Sequence, residues 1–170
     1  QKLLQDKEKS DALLQELKGK PDVTKSGIRM DIYANVGSEQ ELDLALENDA
    51  MGIGLLRSEF LFIGRECAPT EEEQFTIYRR VAEKMAGKKT VIRTLDMGAD
   101  KQADYLQLEE EDNPALGYRG IRILLTKTEL FKAQLRAIYR AAAYGRLAVL
   151  YPMIISGEEV EKIRLLTTQV

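Results

Sequence analysis

The sequence predicts an α/β fold in which parallel strands alternate with helices. Two observations carry this prediction: short apolar runs recur along the chain, and stretches with helical spacing and capping patterns separate them. Consecutive strands joined by helices form a parallel sheet through right-handed crossovers. The pattern by itself leaves two architectures open, a doubly wound sheet and a (β/α)8 barrel.

Residues 1–27 are predicted to form a linker helix and a connector. From Gln1 to Gly19, leucines recur among charged and amide residues at roughly helical spacing, and Gly19, Lys20 and Pro21 end the pattern. The chain does not begin with Met and shows no apolar signal-peptide region, so we expect a piece of a longer protein.

Four strands are predicted after the connector. The first runs from Arg29 to Val36, where apolar and polar residues alternate. The other three are short continuous apolar runs, typical of strands buried on both faces, at residues 52–56, 90–92 and 147–150. We expect all four strands to be parallel and to lie side by side in chain order.

Each strand is followed by a predicted helix that begins with a capping-box pattern, a Ser or Thr with a Glu three residues later. The four patterns begin at Ser38, Thr70, Thr126 and Ser156. The predicted helices cover residues 41–49, 71–86, 129–144 and the stretch from residue 158 onward, with a shorter additional helix over residues 117–125.

Composition and charge argue against several classes of function. The net charge of −3 leaves no basic excess, so neither nucleic acid nor an anionic membrane is an expected partner. Cys67 is the only cysteine, and no apolar run approaches the roughly 20 residues needed to cross a bilayer, so we expect a cytoplasmic protein. The chain has no histidine, so any catalysis must depend on Arg, Lys, Asp, Glu or Cys67.

Arginines stand where α/β folds bind their ligands. Arg57 and Arg93 lie at the carboxyl ends of the second and third strands, and Arg119 opens the short additional helix. Guanidinium groups suit phosphate or carboxylate ligands because they present paired donors. The alternative is that each arginine is a rim residue paired with a nearby acid, such as Glu59, Asp96 or Asp100. The spacing of these residues leaves both interpretations open.

Five consecutive segments resemble signature motifs of one family, the phosphoenolpyruvate-protein phosphotransferases, or enzyme I of the bacterial phosphotransferase system. In chain order they are GIGLLRSEFLF, PTEEEQF, VIRTLDMGADK, NPALGYRGIRI and YPMIISGEEV. The resemblance implies that residues 28–170 are the N-terminal half of a phosphoenolpyruvate-binding barrel of the TIM type, with the first four βα units. Half a barrel would leave open strand edges, so we expect a homodimer.

The resemblance also implies a site and an activity. Arg57 and Arg93 are implied to hold the phosphate of phosphoenolpyruvate, with Arg119 in the same site. The longer protein is implied to transfer the phosphoryl group to its own histidine and on to a phosphocarrier protein for sugar uptake. In the family, magnesium is held by a Glu and an Asp from later strands, and the catalytic Cys lies later still. We therefore expect neither a catalytic residue nor a metal ligand in this chain, and no activity from it alone.

Further positions follow from the same resemblance. Asp100 and Lys101 match a charged pair after the third strand, and Asn35 is a candidate for the mouth of the barrel. For all three side chains, a solvated loop position or a local turn contact is an equally good interpretation. Three residues depart from the family pattern: Ser58 for Thr, Ala99 for Gly and Tyr118 for Trp. Ala99 would be strained if that position requires a positive φ.

Alternative functions remain open at this point. Pyruvate phosphate dikinase and phosphoenolpyruvate synthase have a similar barrel, although residues 58–62 and 69–75 resemble enzyme I more. A non-catalytic anion-binding or assembly module would need neither catalytic residues nor a metal site. We interpret Cys67 as a loop thiol and the acidic run at residues 109–112 as solvated surface.

Overall fold

A computed structural model describes residues 2–98 and 103–170 of the chain. Its α-helices and strands follow one another as α1 (Lys2–Gln15), β1 (Ala34–Val36), α2 (Glu39–Glu47), β2 (Ile53–Arg57), α3 (Glu71–Lys84), β3 (Thr90–Arg93), α4 (Ile121–Thr126), α5 (Thr128–Ala141), β4 (Leu147–Leu150) and α6 (Gly157–Thr167). This alternation confirms the α/β class.

The strands form one four-stranded sheet in the order β1-β2-β3-β4. All three neighbouring pairs are parallel, which confirms the predicted order and direction. A helix connects each strand to the next, as parallel pairing requires. Such a sheet is compatible with part of a barrel, and its parallel strands all end at one edge.

The core lies between the sheet and the helices α3 and α5. Tyr78 of α3 and Phe131 of α5 are completely buried, together with Leu56 of β2 and Ile92 of β3. Helix α5 contributes an apolar stripe because Phe131, Leu135 and Ile138 recur at intervals of three and four residues. This packing fixes α3 and α5 behind the central strands.

The predicted first strand is too long. Only Ala34–Val36 forms β1, whereas the preceding residues alternate in the sequence without continuing the ladder. Arg29 instead makes an isolated antiparallel bridge with Val23, so part of this backbone pairs with the connector. Ile28 and Ile32 are 61% and 55% exposed, which shows that the period-two pattern here does not mark a buried face.

Three of the four predicted helix caps are confirmed. Thr70 and Ser156 make complete capping boxes with Glu73 and Glu159. Ser38 accepts a hydrogen bond from the backbone N–H of Glu41 at 3.2 Å. Each cap satisfies a donor that a helix start otherwise leaves without a partner.

The cap predicted at Thr126 is wrong. Thr126 is the last residue of α4, and its hydroxyl donates back to the carbonyl of Ile123 at 2.9 Å. Helix α5 starts at Thr128 without a side-chain cap. The short helix α4 runs almost to the start of α5, so the threonine that precedes α5 already belongs to a helix.

The helix predicted near the start of the chain is present as α1, whereas its role as a linker and the boundary at residue 27 remain predictions. Leu13, Leu14 and Leu17 are each more than half exposed. Across residues 2–98 and 103–170, none of the helices combines the length and apolar character needed to span a membrane.

Candidate anion-binding site

Arg57 is the last residue of β2, and Arg93 is the last residue of the neighbouring strand β3. Their Cα atoms are direct partners in the β2–β3 pairing, so both lie at the carboxyl edge of the sheet, as predicted. A cavity of about 270 Å³ opens at this edge and is lined by Gly37, Arg57, Glu59, Phe60, Arg93, Asp96 and Arg119. The three predicted arginines therefore share one cavity.

Arg93 is held by two nearly buried carboxylates. One terminal nitrogen of its guanidinium lies 2.7 Å from Glu59 Oε1 and the other lies 3.0 Å from Asp96 Oδ2. Glu59 belongs to the short 3₁₀ turn directly after β2, and Asp96 lies in the loop after β3. The ion pairs considered from the sequence are thus present for Arg93, inside the cavity that an anion would use.

Asp96 also holds Arg119. Its Oδ1 accepts from Nε of Arg119 at 2.9 Å, while its backbone carbonyl accepts from the Arg119 guanidinium at 3.3 Å. Buried Gly120 allows this approach: it has a φ of +57°, and an added Cβ would lie 3.2 Å from Asp96 Oδ1. Asp96 therefore connects Arg93 and Arg119 into one rigid group.

The position of Arg119 differs from the prediction in one respect. Helix α4 begins at Ile121, so Arg119 lies in the loop before it rather than at its opening. The helix is only six residues long. Arg119 therefore does not open the helix as predicted, but its guanidinium group lines the cavity. The contribution of helix N–H groups to anion binding remains a prediction.

Arg57 has a different partner from those expected. Its guanidinium pairs with Glu41 of α2 at 3.1 Å, and both side chains are almost half exposed. Gly37 lies beneath the guanidinium, where a Cβ would collide with it. The sequence does not predict Glu41 as a partner of Arg57, because the capping pattern accounts for this residue as part of a helix cap. Among the described residues, three carboxylates thus contact the three arginines.

A buried amide supports the floor of the site. Gln134 of α5 is fully buried, and its Nε2 donates to the hydroxyls of Ser58 at 3.1 Å and Tyr78 at 3.0 Å. Its Oε1 accepts from the backbone N–H of Leu95 at 2.9 Å. Burial raises the pKa of the Tyr78 hydroxyl above its ordinary value, so this group remains a hydrogen-bonding neutral phenol.

Gln134 therefore contacts residues adjacent to two parts of the site, since Ser58 follows Arg57 and Leu95 precedes Asp96. The sequence did carry a signal for it. Gln134 stands between Phe131 and Leu135 on the apolar stripe of α5, and a polar residue on a buried face must have partners.

The acidic run at residues 109–112 is predicted to be solvated surface, but this prediction is wrong for Glu111. Glu111 is half-buried, and its two oxygens accept from the backbone N–H of Tyr118 at 2.9 and 3.0 Å. At Gly117 a Cβ would collide with the Glu111 carboxylate. This carboxylate consequently holds the loop that leads to Arg119, and only its neighbours in the run are exposed.

The remaining predicted site residues are Asn35, Asp100 and Lys101. Asn35 is exposed on β1 and is not one of the residues that line the 270 Å³ cavity. Asp100, Lys101 and Ala99 lie outside the described residues. Cys67 is an exposed free thiol, in agreement with a loop position.

The described carboxylates do not fit a metal site. Among residues 2–98 and 103–170, no group of three or more Asp, Glu or Cys side chains could hold an ion. Glu59 and Asp96 are the acids nearest the cavity, and both are engaged by arginines. Both oxygens of Asp96 contact arginines and Oε1 of Glu59 contacts Arg93, so a divalent cation at this position would compete with these guanidinium groups.

A larger cavity of about 570 Å³ lies between the end of α1, the connector and residues 48–51. None of the predicted site residues that the structure describes lines this cavity. Residues 48–51 enter β2 at its amino end, whereas parallel α/β folds bind ligands at the carboxyl ends of strands. The smaller arginine-lined cavity is therefore the candidate site.

The chain was also compared with known proteins. Residues 11–170 match the family model described as PEP-utilising enzyme, PEP-binding domain. The chain is 52% identical over 153 residues to a phosphoenolpyruvate-protein phosphotransferase of Haemophilus influenzae, over 90% of this chain and 27% of the relative.

Two staphylococcal proteins of the same name are similar to the chain. The Staphylococcus aureus protein is 47% identical over 151 residues, with 89% of this chain and 26% of the relative aligned. The Staphylococcus carnosus protein is 49% identical over 146 residues, with 86% of this chain and 26% of the relative aligned. The chain thus spans about a quarter of the length of the relatives it matches.

Proposed function

The chain belongs to the PEP-utilising enzymes through their PEP-binding domain, and on this premise we propose that Arg57, Arg93 and Arg119 bind phosphoenolpyruvate. The observation that carries the proposal is that all three side chains line one cavity at the carboxyl edge of the sheet. Its volume of about 270 Å³ is small, in keeping with a small ligand.

The chemistry of the ligand fits the donors in the cavity. Phosphoenolpyruvate carries a phosphate and a carboxylate, and planar guanidinium groups can give each of them two hydrogen bonds. Arg57 and Arg93 hold the phosphate in this proposal, and Arg119 completes the site. Glu59 and Asp96 orient Arg93 before the ligand arrives, which lowers the conformational cost of binding.

The proposal extends to the whole protein. In this proposal the whole protein transfers the phosphoryl group of phosphoenolpyruvate to its own histidine and then to a phosphocarrier protein. The transfer takes place in the cytoplasm and serves sugar uptake. Preorganised cations are one requirement of phosphoryl transfer, because they offset the charge on the transferring group. The arginines of this chain supply those cations. Magnesium would be held by residues other than the described ones, whose carboxylates do not fit it.

The proposal also includes the architecture. The four βα units are the N-terminal half of a TIM-type barrel, with residues 1–27 as its linker helix and connector. Parallel sheets are usually covered on both faces, yet Leu150 of β4 is 37% exposed and Ile155 after it is 75% exposed. These exposures support an arrangement in which further structure, or a second copy, covers the edge at β4.

Titration calorimetry of this chain with phosphoenolpyruvate tests the proposed site. We expect weak binding that is lost in Arg93→Ala, because this substitution removes a cation that contacts the cavity. Arg164→Ala is the matched control, since Arg164 is an exposed arginine of α6 paired with Glu161. Equal binding by Arg93→Ala and Arg164→Ala would contradict the proposal.

A further inference from the structure

We propose that Glu41 sets the ligand affinity of the arginine site, because its carboxylate occupies the guanidinium group of Arg57 and competes with the anion for it. This inference rests on the proposed function. It adds Glu41 to the site, a residue that the sequence pattern predicts only as part of a helix cap. It also separates the three arginines: Arg93 and Arg119 are held firmly, and Arg57 exchanges partners.

The difference between the arginines is one of burial. The side chains of Arg93 and Arg119 are 22% and 15% exposed, and their partners Glu59 and Asp96 are each 9% exposed. Arg57 and Glu41 are 46% and 45% exposed. An exposed ion pair is weakened by water and salt, whereas a nearly buried pair costs much more to separate. Arg57 is therefore the arginine that can change partner at low cost.

Glu41 is held in place independently of Arg57. Its Oε2 accepts from the backbone N–H of Gly37 at 2.6 Å, and its own backbone N–H donates to Ser38. The carboxylate thus stays at the start of α2 when the ion pair opens. Only the long side chain of Arg57 has to move, and Gly37 offers no side chain in its way.

The same Glu41 oxygen lies 3.1 Å from Arg57, which lines the cavity. An anion that enters between Arg93 and Arg119 finds their guanidinium groups already fixed by carboxylates. It gains Arg57 only when that side chain leaves Glu41. The affinity for the anion then depends on the difference in free energy between two ion pairs of Arg57, one with Glu41 and one with the ligand.

Glu41→Gln tests this competition, with Glu39→Gln as its matched control. Both substitutions remove one negative charge from the first turn of α2, so their long-range electrostatic effects are similar. Glu39 pairs with Arg80 of α3 instead of an arginine in the cavity. Glutamine at position 41 keeps an amide oxygen that can accept from Gly37.

The probes are phosphoenolpyruvate and inorganic phosphate, titrated into this chain and its two variants. We expect Glu41→Gln to bind both anions about two- to fivefold more tightly than Glu39→Gln, the range that a partly exposed ion pair contributes. A merely structural role of Glu41 would weaken binding instead. Modification of Arg57 by phenylglyoxal, mapped by mass spectrometry, should also be faster in Glu41→Gln than in Glu39→Gln.

The outcomes separate the two proposals. Binding by the unsubstituted chain, with equal affinities for the two variants, overturns the role of Glu41 and leaves the proposed function standing. The absence of anion binding in all three proteins overturns the proposed function and the competition with it. Equal modification rates of Arg57 in the two variants also overturn the inference, since the pairing would then not restrain the guanidinium.

Discussion

Gln134 accepts a hydrogen bond at 2.9 Å from the backbone N–H of Leu95, 39 residues before it in the chain. The same side chain donates to Ser58, which follows Arg57 directly. A single amide on α5 thus contacts both of the loops that leave β2 and β3 at the candidate site. Its orientation is set by three partners, and each of them is buried or belongs to the backbone.

Gln134→Leu should destabilise the protein by at least about 2 kcal/mol, because it leaves buried polar groups of Ser58 and Leu95 without their partner. Urea unfolding measures the change. The control is Gln40→Leu, at an exposed position of α2. A loss no larger than that of the control would show that the amide network contributes little to stability.

Helix α3 should show a pH dependence that originates at its cap. The backbone N–H of Thr70, followed by its hydroxyl and by Arg65, lowers the pKa of Glu73 from 4.5 to about 2. A carboxyl with a depressed folded pKa stabilises the protein above its unfolded pKa and loses this effect as pH falls through the folded pKa. The contribution should therefore disappear between about pH 4.5 and pH 2.

Urea unfolding of the unsubstituted chain and of Glu73→Gln at pH 6, 4 and 3 checks this expectation. The difference in free energy of unfolding between the two proteins should be largest at pH 6 and should shrink with acid. Glutamine can still accept from Thr70, so the comparison isolates the charge. A difference that stays constant down to pH 3 would argue against a depressed pKa.

The chain by itself should not transfer the phosphoryl group of phosphoenolpyruvate. It contains no histidine to accept the group, and its described carboxylates form no metal site. Incubation with phosphoenolpyruvate labelled in its phosphate, in the presence of magnesium, should yield neither labelled protein nor pyruvate. A full-length protein of the family serves as the positive control, and turnover by the chain would mean that the catalytic groups are misassigned.

The chain should self-associate at micromolar concentration, because β1 and β4 are the outer strands of its sheet and outer strands leave backbone groups available for pairing. Light scattering should report a dimer or a larger species. Leu150→Lys places a charge on β4 and should weaken the association. A monodisperse monomer with cooperative unfolding would contradict the expectation of a homodimer.

The strand ends could be predicted from the sequence because they follow from two regular features, the apolar runs and the alternation with helices. Parallel strands in chain order bring Arg57 and Arg93 together without any knowledge of packing. Residues 29–33 show where the same logic fails. Their alternation is typical of a strand, but the backbone there pairs partly with the connector.

The partners of the arginines could not be assigned from spacing. Glu41 reaches Arg57 because the start of α2 lies close to the end of β2, which is a tertiary relationship. Among the expected acids, Glu59 and Asp96 do form ion pairs with arginines. The residues of these ion pairs also line the cavity. The ion pairs are therefore present, and the anion site at the same cavity remains a proposal.

Asp96 gives one carboxylate oxygen to Arg93 and the other to Arg119, and this sharing limits how the pocket can be redesigned. Once either arginine is replaced, the carboxylate is free to rotate toward the one that remains. The effects of substitutions at the two arginines should then not add, as is general for residues with a common partner. An engineer who wants a new ligand in this cavity has to treat the three side chains as one inseparable unit.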